Sequence, residues 1–277
     1  MSKMSQPDNQ ILPFFAYGLF KPGQPMHIQL NGLVKNSEEM ILPGNLNILN
    51  GLVRFKYDIK ASRKVKGSKL EFNDSVEAYN RINSLEPSKY YKWEEIDGMN
   101  CLVARGGKGE SILEINHSLD SADLLEYTIQ DDKFFSSFFE FMGQRPKFEP
   151  NMKGLIGLQM YYSLLWIALE RLVLLTVGFT VIHKITINKK IEKFEDLFQK
   201  YLEYDEDLYA KIKDMEISSM QDDRKIPNDE ILSKLYGLRS NIVHQGKALI
   251  TDYDRVEDSL NYLLGFIKEI FTKEGWN

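Results

Sequence analysis

The stretch "YGLRSNIVHQGK" holds two side chains suited to acid–base chemistry, Arg239 and His244. A histidine titrates near neutral pH, so it can deprotonate a ribose 2′-hydroxyl or protonate a leaving oxygen. A guanidinium can hold a phosphate and its developing charge through paired hydrogen bonds. Together they suffice for metal-free cleavage of RNA. The alternative is structural, because cations favour a helix C-terminus and Gly246 is a natural helix stop.

The spacing of this pair limits how one helix can bring it together. Arg239 and His244 are five residues apart, so their directions on a straight helix differ by about 140°. The long arginine could swing round, the last helical turn could distort, or two copies of the helix could form a composite cleft across a dimer axis. The sequence leaves these three arrangements open.

A second group of candidate residues lies in the first half of the chain. The stretch "FFAYGLFKPG" predicts a strand that enters a glycine-rich turn, whose backbone N–H groups can hold a carboxylate or carbonyl oxygen. Further on, Glu86 follows a short predicted helix and precedes an aromatic strand. A carboxyl among apolar and aromatic side chains can have a raised pKa and act as a base. The alternative is that the Glu86 side chain is exposed to solvent and is an ordinary residue at the end of a helix.

The composition excludes several classes of protein. A formal net charge of −5 over 277 residues argues against a protein that coats nucleic acid, and it leaves room for a local basic site. The single cysteine, Cys101, excludes a disulfide framework and a zinc site of several thiolates. The sequence has no four-ligand metal spacing and no glycine-rich phosphate-binding motif, so we predict no metal or cofactor. The start of the chain lacks the apolar core of a signal peptide, which predicts a cytoplasmic protein.

The elements that must position these residues change in character near residue 150. Before it, short apolar stretches such as "EEMILPGNLNILNGLVRF" are separated by Gly, Pro and Asn, a pattern typical of strands. A short amphipathic helix is predicted over Asp74 to Pro87, with apolar residues at Val76, Tyr79, Ile82 and Leu85. We therefore predict a mixed α+β domain of mostly antiparallel strands over residues 11–130. A phenylalanine-rich linker, 131–151, is expected to pack rather than to bind a ligand.

After Asn151 the pattern is helical throughout. A long apolar helix is predicted from about Leu155 to Val177. Its adjacent central charges, Glu170 and Arg171, would each cost roughly 2.5–3.5 kcal/mol at a bilayer centre, so we expect a buried core helix and no membrane contact. Periodic apolar positions predict three further helices. The first occupies residues 188–212, the second begins at Asn228 or Asp229, and the third begins at Asp252. These elements predict a helical bundle over residues 152–277.

The motif and the helix order around it resemble the HEPN superfamily. That family's signature is an arginine and a histidine separated by four to six residues, near a helix end of a four- to five-helix bundle. The resemblance implies that Arg239 and His244 are the catalytic pair of a metal-independent endoribonuclease, with a homodimer of the helical domain forming the cleft. The "SN" after the arginine resembles the Abi/Apea-like branch, which implies defence or toxin biology and an antitoxin partner. Residues expected to support the site or to bind RNA are Tyr236, Ser240, Asn241 and Lys247.

The first half of the chain resembles the γ-glutamylcyclotransferase-like fold, a mostly antiparallel, barrel-like domain. In that family an aromatic strand ends in Tyr-Gly plus two residues, and a later Leu-Asp-x-Leu-Glu motif bears the catalytic glutamate. Tyr17–Gly23 matches the first motif, and Ile82–Glu86, followed by a tyrosine pair, matches the second. The resemblance implies that Glu86 takes a proton from a substrate α-amine, which attacks the γ-carbonyl, while backbone at the Tyr-Gly turn holds substrate oxygens. Residues expected to form the ligand cavity are Tyr17, Gly18, Leu19, Phe20 and Tyr90.

The chain departs from the cyclotransferase pattern in two places. Leu19-Phe20 replaces a Ser-Asn or Thr-Leu pair, and Asn83 replaces an aspartate, so polar contacts with a substrate are expected to differ. Our leading hypothesis is a HEPN-type endoribonuclease that the N-terminal domain controls by sensing a ligand or partner. The second is a γ-glutamyl enzyme whose helical domain serves dimerisation. The third is a non-enzymatic module that binds a small γ-glutamyl or amine-bearing ligand.

Overall fold

The structure is a computed structural model of the chain. It describes residues 4–49, 51–107, 110–111, 124–177, 231–245 and 249–276. The chain divides into two compact units, Met1–Asp132 with Leu174–Lys184, and Lys133–Val173 with Ile185–Asn277. This division places most of the segment predicted as a linker in the second unit.

The first unit is built around a mixed β-sheet, and the predicted α+β class with mostly antiparallel strands is confirmed. Among the described residues, antiparallel pairs outnumber the parallel ones, which join β1 to β6, β3 to β6 and β4 to β8. The strands are β1 (Phe14–Ala16), β2 (Val34–Leu49), β3 (Leu52–Tyr57), β4 (Lys64–Phe72), β5 (Tyr91–Ile96), β6 (Met99–Ala104), β7 (Glu110–Ser111) and β8 (Leu124–Leu125).

Five of these strands close into a barrel in the order β2-β3-β6-β1-β4, because β4 pairs again with β2. The closing strand, β2, is 16 residues long. Its first part, Val34 to Pro43, pairs with β4, and its second part, Gly44 to Leu49, pairs with β3. A Cβ at Gly44 would lie 2.4 Å from the Lys56 carbonyl oxygen, so the crossing from one partner strand to the other requires glycine.

The barrel interior is apolar and rich in aromatic rings. Phe14, Phe15 and Phe55 are essentially inaccessible to solvent. The ring of Phe15 lies 5.6 Å from that of Phe55, and the ring of Tyr17 lies 5.5 Å from the same ring. Aromatic side chains bury large apolar areas and dominate the energy of such cores. A polar group in this interior is therefore shielded from water and loses its hydration.

One helix of the first unit, α1 (Ser75–Leu85), packs against the barrel. It begins where the Asp74 carboxylate accepts a hydrogen bond from the Glu77 N–H at 3.0 Å. Of the predicted apolar face, Tyr79, Ile82 and Leu85 are buried, but Val76 is 56% exposed. A helix has 3.6 residues per turn, so positions spaced by three residues shift steadily around its axis. The first of these positions, Val76, therefore lies outside the buried face.

The described part of the second unit is helical. Its helices are α2 (Lys133–Gly143), α3 (Met152–Val177, which from Leu174 onward belongs to the first unit), α4 (Ile231–Gln245) and α5 (Tyr253–Lys273). The predicted first and last helices are thus confirmed. The predicted helix at 188–212 and the predicted start at Asn228 or Asp229 lie outside the described residues. The HEPN bundle as a whole stays a prediction.

Aromatic contacts and one buried hydrogen bond join these helices. Phe135 of α2 contacts Phe271 of α5 at 4.9 Å between ring centroids, which fits the packing role predicted for the phenylalanine-rich segment. The Tyr162 hydroxyl of α3 donates to the Leu235 carbonyl of α4 at 2.8 Å. The hydrogen bond holds α4, which carries the Arg239 motif, against α3.

Helix α3 is long and apolar enough to cross a membrane, with a mean hydropathy of 1.3 over its best window. Half of that window is buried within the protein. Core helices of soluble proteins have the same properties, so one such helix is weak evidence for a membrane span.

Candidate functional site

The position of Glu86 follows from the residue after it. Pro87 disfavours the helical conformation in the residue before it, so α1 ends at Leu85 and Glu86 is extended, with φ −96° and ψ 133°. The chain therefore leaves the direction of the helix at Glu86, and the Glu86 side chain lies inside the protein. Glu86 is only 5% exposed.

The Glu86 side chain lines a small cavity in the first unit, with a volume of about 30 Å³. A cavity of this volume holds about one water molecule. Barrel and turn residues that line it include Phe14, Tyr17, Leu19, Phe20, Met26, Leu52, Val53, Tyr91 and Leu102. The carboxyl therefore faces a space that fits a water or an ammonium group, inside a mostly apolar wall.

Burial dominates the electrostatics of Glu86. Its Oε2 atom is buried and has no hydrogen-bond partner. Loss of water disfavours the charged carboxylate, and this burial raises the pKa of Glu86 to about 8. At neutral pH most of the carboxyl is protonated, and it can exchange its proton with a group whose pKa lies near neutrality.

Two tyrosines border the same cavity, and their protons are already engaged. The Tyr17 hydroxyl donates to the Leu102 carbonyl, and the Tyr91 hydroxyl donates to the Val53 carbonyl, both at 2.7 Å. Burial raises the pKa of both phenols well above the ordinary value, and the Glu86 charge adds to the rise. Glu86 is therefore the cavity group that can exchange a proton near neutral pH.

The glycine-rich turn contains a residue in the left-handed region of backbone conformation. Gly18 has a φ of +58°, which L-residues rarely adopt, and a short 3₁₀ helix, Gly18–Phe20, follows. His27 Nδ1 lies 3.0 Å from the Phe20 carbonyl oxygen and can donate to it. Lys21, which is buried, forms an ion pair with Glu126.

The structure brings together most of the residues predicted for this cavity. Tyr17, Leu19, Phe20 and Glu86 all line it, and Gly18 lies between the first two. Tyr90 does not; it is half-buried and its ring lies under the Lys89 ammonium at 5.4 Å. The next residue, Tyr91, lines the cavity instead: it is the first residue of β5, whereas Tyr90 ends the preceding turn, in which its N–H donates to the Pro87 carbonyl.

Asn83, the departure from the cyclotransferase motif, does not line the cavity. Its amide Nδ2 donates to Gln6 at 2.7 Å, and its Oδ1 accepts from the Trp93 indole at 2.9 Å. Met26, Val53 and Leu102 line the cavity without having been predicted. Their apolar side chains carry no chemical signal in the sequence, and the fold alone places them there.

The second candidate site lies on α4. Arg239 Nη2 is 3.4 Å from Glu170 Oε1 on α3, and its guanidinium lies 5.5 Å from the centre of the Tyr236 ring. The arginine side chain is 20% exposed and the glutamate 33%. Tyr236 in turn packs edge-on against Trp166 at 5.6 Å. Arg239 is thus held by a carboxylate and an aromatic ring.

The remaining residues of this motif are only partly described. Asn241 is 6% exposed and Ser240 is half-buried. His244 is in the helix, and its side chain and Lys247 lie outside the described residues. Because α4 is a regular α-helix from Ile231 to Gln245, the last-turn distortion is excluded as far as Gln245. Arg239 and His244 thus differ by about 140° around one axis.

Within the described residues, no group of three or more His, Cys, Asp or Glu side chains is placed to hold a metal ion. Comparison of the chain with protein-family models, with curated proteins and with solved structures found no match.

Proposed function

We propose that the first unit acts on a small molecule that places a primary amine beside Glu86, in a reaction of the γ-glutamylcyclotransferase type. The observation that carries this proposal is the buried Glu86 Oε2, which has no partner and lines a water-sized cavity. A buried polar group without a partner is costly. A ligand N–H group would remove that cost, and a protein has reason to keep such a group where it serves a ligand.

The reaction needs one group that takes a proton and returns it. The neutral α-amine attacks the γ-carbonyl carbon, and a C–N bond forms. The amine proton passes to the Glu86 carboxylate, which returns it to the leaving nitrogen as the original amide bond breaks. The products are 5-oxoproline and the free amine. A carboxyl with a pKa of about 8 is well matched to an amine near neutral pH.

The size of the cavity restricts the proposal. About 30 Å³ admits an ammonium-sized group and not a whole γ-glutamyl moiety. The cavity must therefore enlarge when such a substrate binds.

Release of 5-oxoproline from a panel of γ-glutamyl dipeptides and γ-glutamyl amines tests this function. Glu86→Gln keeps the shape and removes the proton exchange, so we expect a loss of about 10²- to 10⁴-fold. Glu95→Gln, at an exposed position of β5, is the matched control and should retain full activity. Absence of 5-oxoproline from the wild-type protein with every substrate would exclude the cyclotransferase reaction. Calorimetric binding of amines that Glu86→Gln abolishes would then support a non-enzymatic binding module.

A second candidate function is the HEPN-type endoribonuclease in the helical unit. The observation in its favour is that Glu170 and Tyr236 hold Arg239 on a regular helix at a partly exposed position. A phosphate can displace a carboxylate 3.4 Å away, because both accept from the same guanidinium. Expression of the wild-type protein and of His244→Ala, with growth and RNA integrity as readouts, tests it. Intact RNA in both cultures would count against the nuclease.

A further inference from the structure

The turn that lines part of the Glu86 cavity is one continuous segment between two glycines. It runs from Gly18, with a φ of +58°, to Gly32, with a φ of +79°. Three residues of this segment line the cavity: Leu19, Phe20 and Met26. The segment therefore forms one part of the cavity wall, and strand residues such as Leu52, Val53 and Leu102 form other parts.

The main-chain N–H groups of this segment donate to its own carbonyls, and the Gln29 carbonyl accepts a further hydrogen bond from Arg81 Nη1 of α1 at 3.1 Å. The N–H of Lys21 donates to Gly18, that of Gln24 to Lys21, and that of His27 to Gln24, at 3.0 to 3.3 Å. Its described secondary structure consists of two 3₁₀ helices, Gly18–Phe20 and Pro25–Leu30, and none of it is strand. Such a segment can move as a unit without breaking the hydrogen bonds of the barrel.

Two side-chain contacts tie the segment to the chain after β8. Lys21 Nζ forms an ion pair with Glu126, and the Ile129 N–H donates to Gln24 Oε1 at 2.8 Å. This receiving part is itself anchored, because β8 pairs with β4 and Ile129 is buried. These contacts, together with the packing of Phe20, Met26 and Leu30 into the core of the first unit, hold the segment against a fixed support.

We propose that residues 18–32 are a lid over the Glu86 cavity. The lid is latched by the Lys21–Glu126 and Gln24–Ile129 contacts and opens about Gly18 and Gly32. The proposal rests on the proposed function for what enters the cavity, since a space of about 30 Å³ admits no larger ligand while the lid is closed. Lid opening is a property of the free protein and is measurable without any ligand.

Hydrogen–deuterium exchange on the full chain tests the latch, with Lys21→Met as the variant. Methionine keeps the buried apolar stem, and Glu126, whose side chain is 40% exposed, stays solvated. We expect amides of residues 18–32 to exchange about tenfold faster, as for loss of about 1.4 kcal/mol of local stability. Lys66→Met is the matched control, because Lys66 also lies near Glu126, at 3.8 Å, and is outside the lid. It should leave exchange in the lid unchanged.

Exchange in β3 and β6 separates lid opening from general unfolding. Acceleration confined to residues 18–32 supports the lid. Unchanged exchange there, or equal acceleration in the barrel strands, overturns it. If Lys21→Met does not fold, Gln24→Ala removes the other contact of the latch and is expected to act in the same direction.

Thiol labelling gives a second readout of the same opening. Met26→Cys in a Cys101→Ala background places the thiol in the cavity wall, and Leu19→Cys replaces it if that variant does not fold. Lys21→Met should speed its labelling about tenfold; no change would contradict the latch. An opening lid without 5-oxoproline release overturns the proposed function alone, and a closed lid in an active enzyme overturns the lid alone.

Discussion

The Glu86 cavity and the Arg239 motif are the two parts of the chain where residue types suggest chemistry. Their ionisable side chains differ in burial and in partners. Glu86 is buried in the first unit with one oxygen that lacks a partner. Arg239 is partly exposed in the second and faces a carboxylate and an aromatic ring. An ion pair near water contributes little to stability, whereas burial raises the pKa of an isolated carboxyl. The reactivity proposed for Glu86 therefore depends on burial, and the reactivity proposed for Arg239 would depend on a further partner.

The largest effect that would break this comparison is complementation between two variants of the proposed catalytic pair of the helical unit. Arg239→Ala and His244→Ala should each lose about 10²- to 10⁴-fold in RNA cleavage if the pair is catalytic. If one copy supplies the arginine and the other the histidine, co-refolding equal amounts of the two variants restores about a quarter of the wild-type rate. Absence of recovery in verified mixed dimers would contradict a cleft shared in this way, and Arg239 would then need a partner from its own chain.

The next largest effect concerns the stability of the first unit. The folded-state pKa of Glu86, about 8, exceeds the ordinary value of 4.5. Between these values the folded state holds one proton more than the unfolded state, so stability falls as pH rises. From pH 5 to pH 8 this loss is on the order of 4 kcal/mol. Glu86→Gln should lack this loss and be the more stable protein at pH 8.

Urea unfolding of both proteins from pH 4 to pH 9 measures that difference. Glu95→Gln, which changes an exposed carboxyl of β5, serves as the control and should keep the wild-type pH dependence. Parallel wild-type and Glu86→Gln curves would mean that Glu86 is solvated in the folded protein.

A smaller effect is expected at the turn that begins the cavity wall. Gly18→Ala should lower the free energy of unfolding by about 1 kcal/mol, because L-residues at a φ of +58° are strained. Space is available, since the nearest atom to the added Cβ would be 3.7 Å away. Gly143→Ala, at the end of α2, is the matched control without a positive φ. If Gly18→Ala leaves the free energy of unfolding unchanged, the turn tolerates another conformation.

The smallest effect is expected at the Arg239 pair. Glu170→Gln should lower the free energy of unfolding by less than about 1 kcal/mol, because both partners reach solvent. Chemical denaturation with and without 1 M salt measures it, since salt weakens an exposed pair. If the free energy of unfolding instead falls by several kcal/mol and the loss is insensitive to salt, the ion pair of Arg239 is a buried structural one. The contrast with Glu86 would then be between a paired and an unpaired buried charge.

Local patterns predicted the elements near both sites well. The sequence of Asp74 to Pro87 contains a cap, an apolar face and a proline stop, and each acts within a few residues. Strand β4 was not predicted, because its five charged or polar side chains among Lys64–Phe72 hide the buried Val65 and Leu70. Tyr90 was chosen where Tyr91 lines the cavity, because the sequence does not show which residue of the tyrosine pair begins the strand.

The sequence by itself determined the two-part organisation, the end of α1 at Glu86 and the helix that carries Arg239, because these depend on neighbours along the chain. Only the tertiary structure decided the chemistry of each side chain. The cavity wall combines residues as distant as Phe14 and Leu102, which meet when five strands close into a barrel. Arg239 meets Glu170 from 69 residues away. Burial and ion pairing depend on such long-range contacts, and no local pattern encodes them.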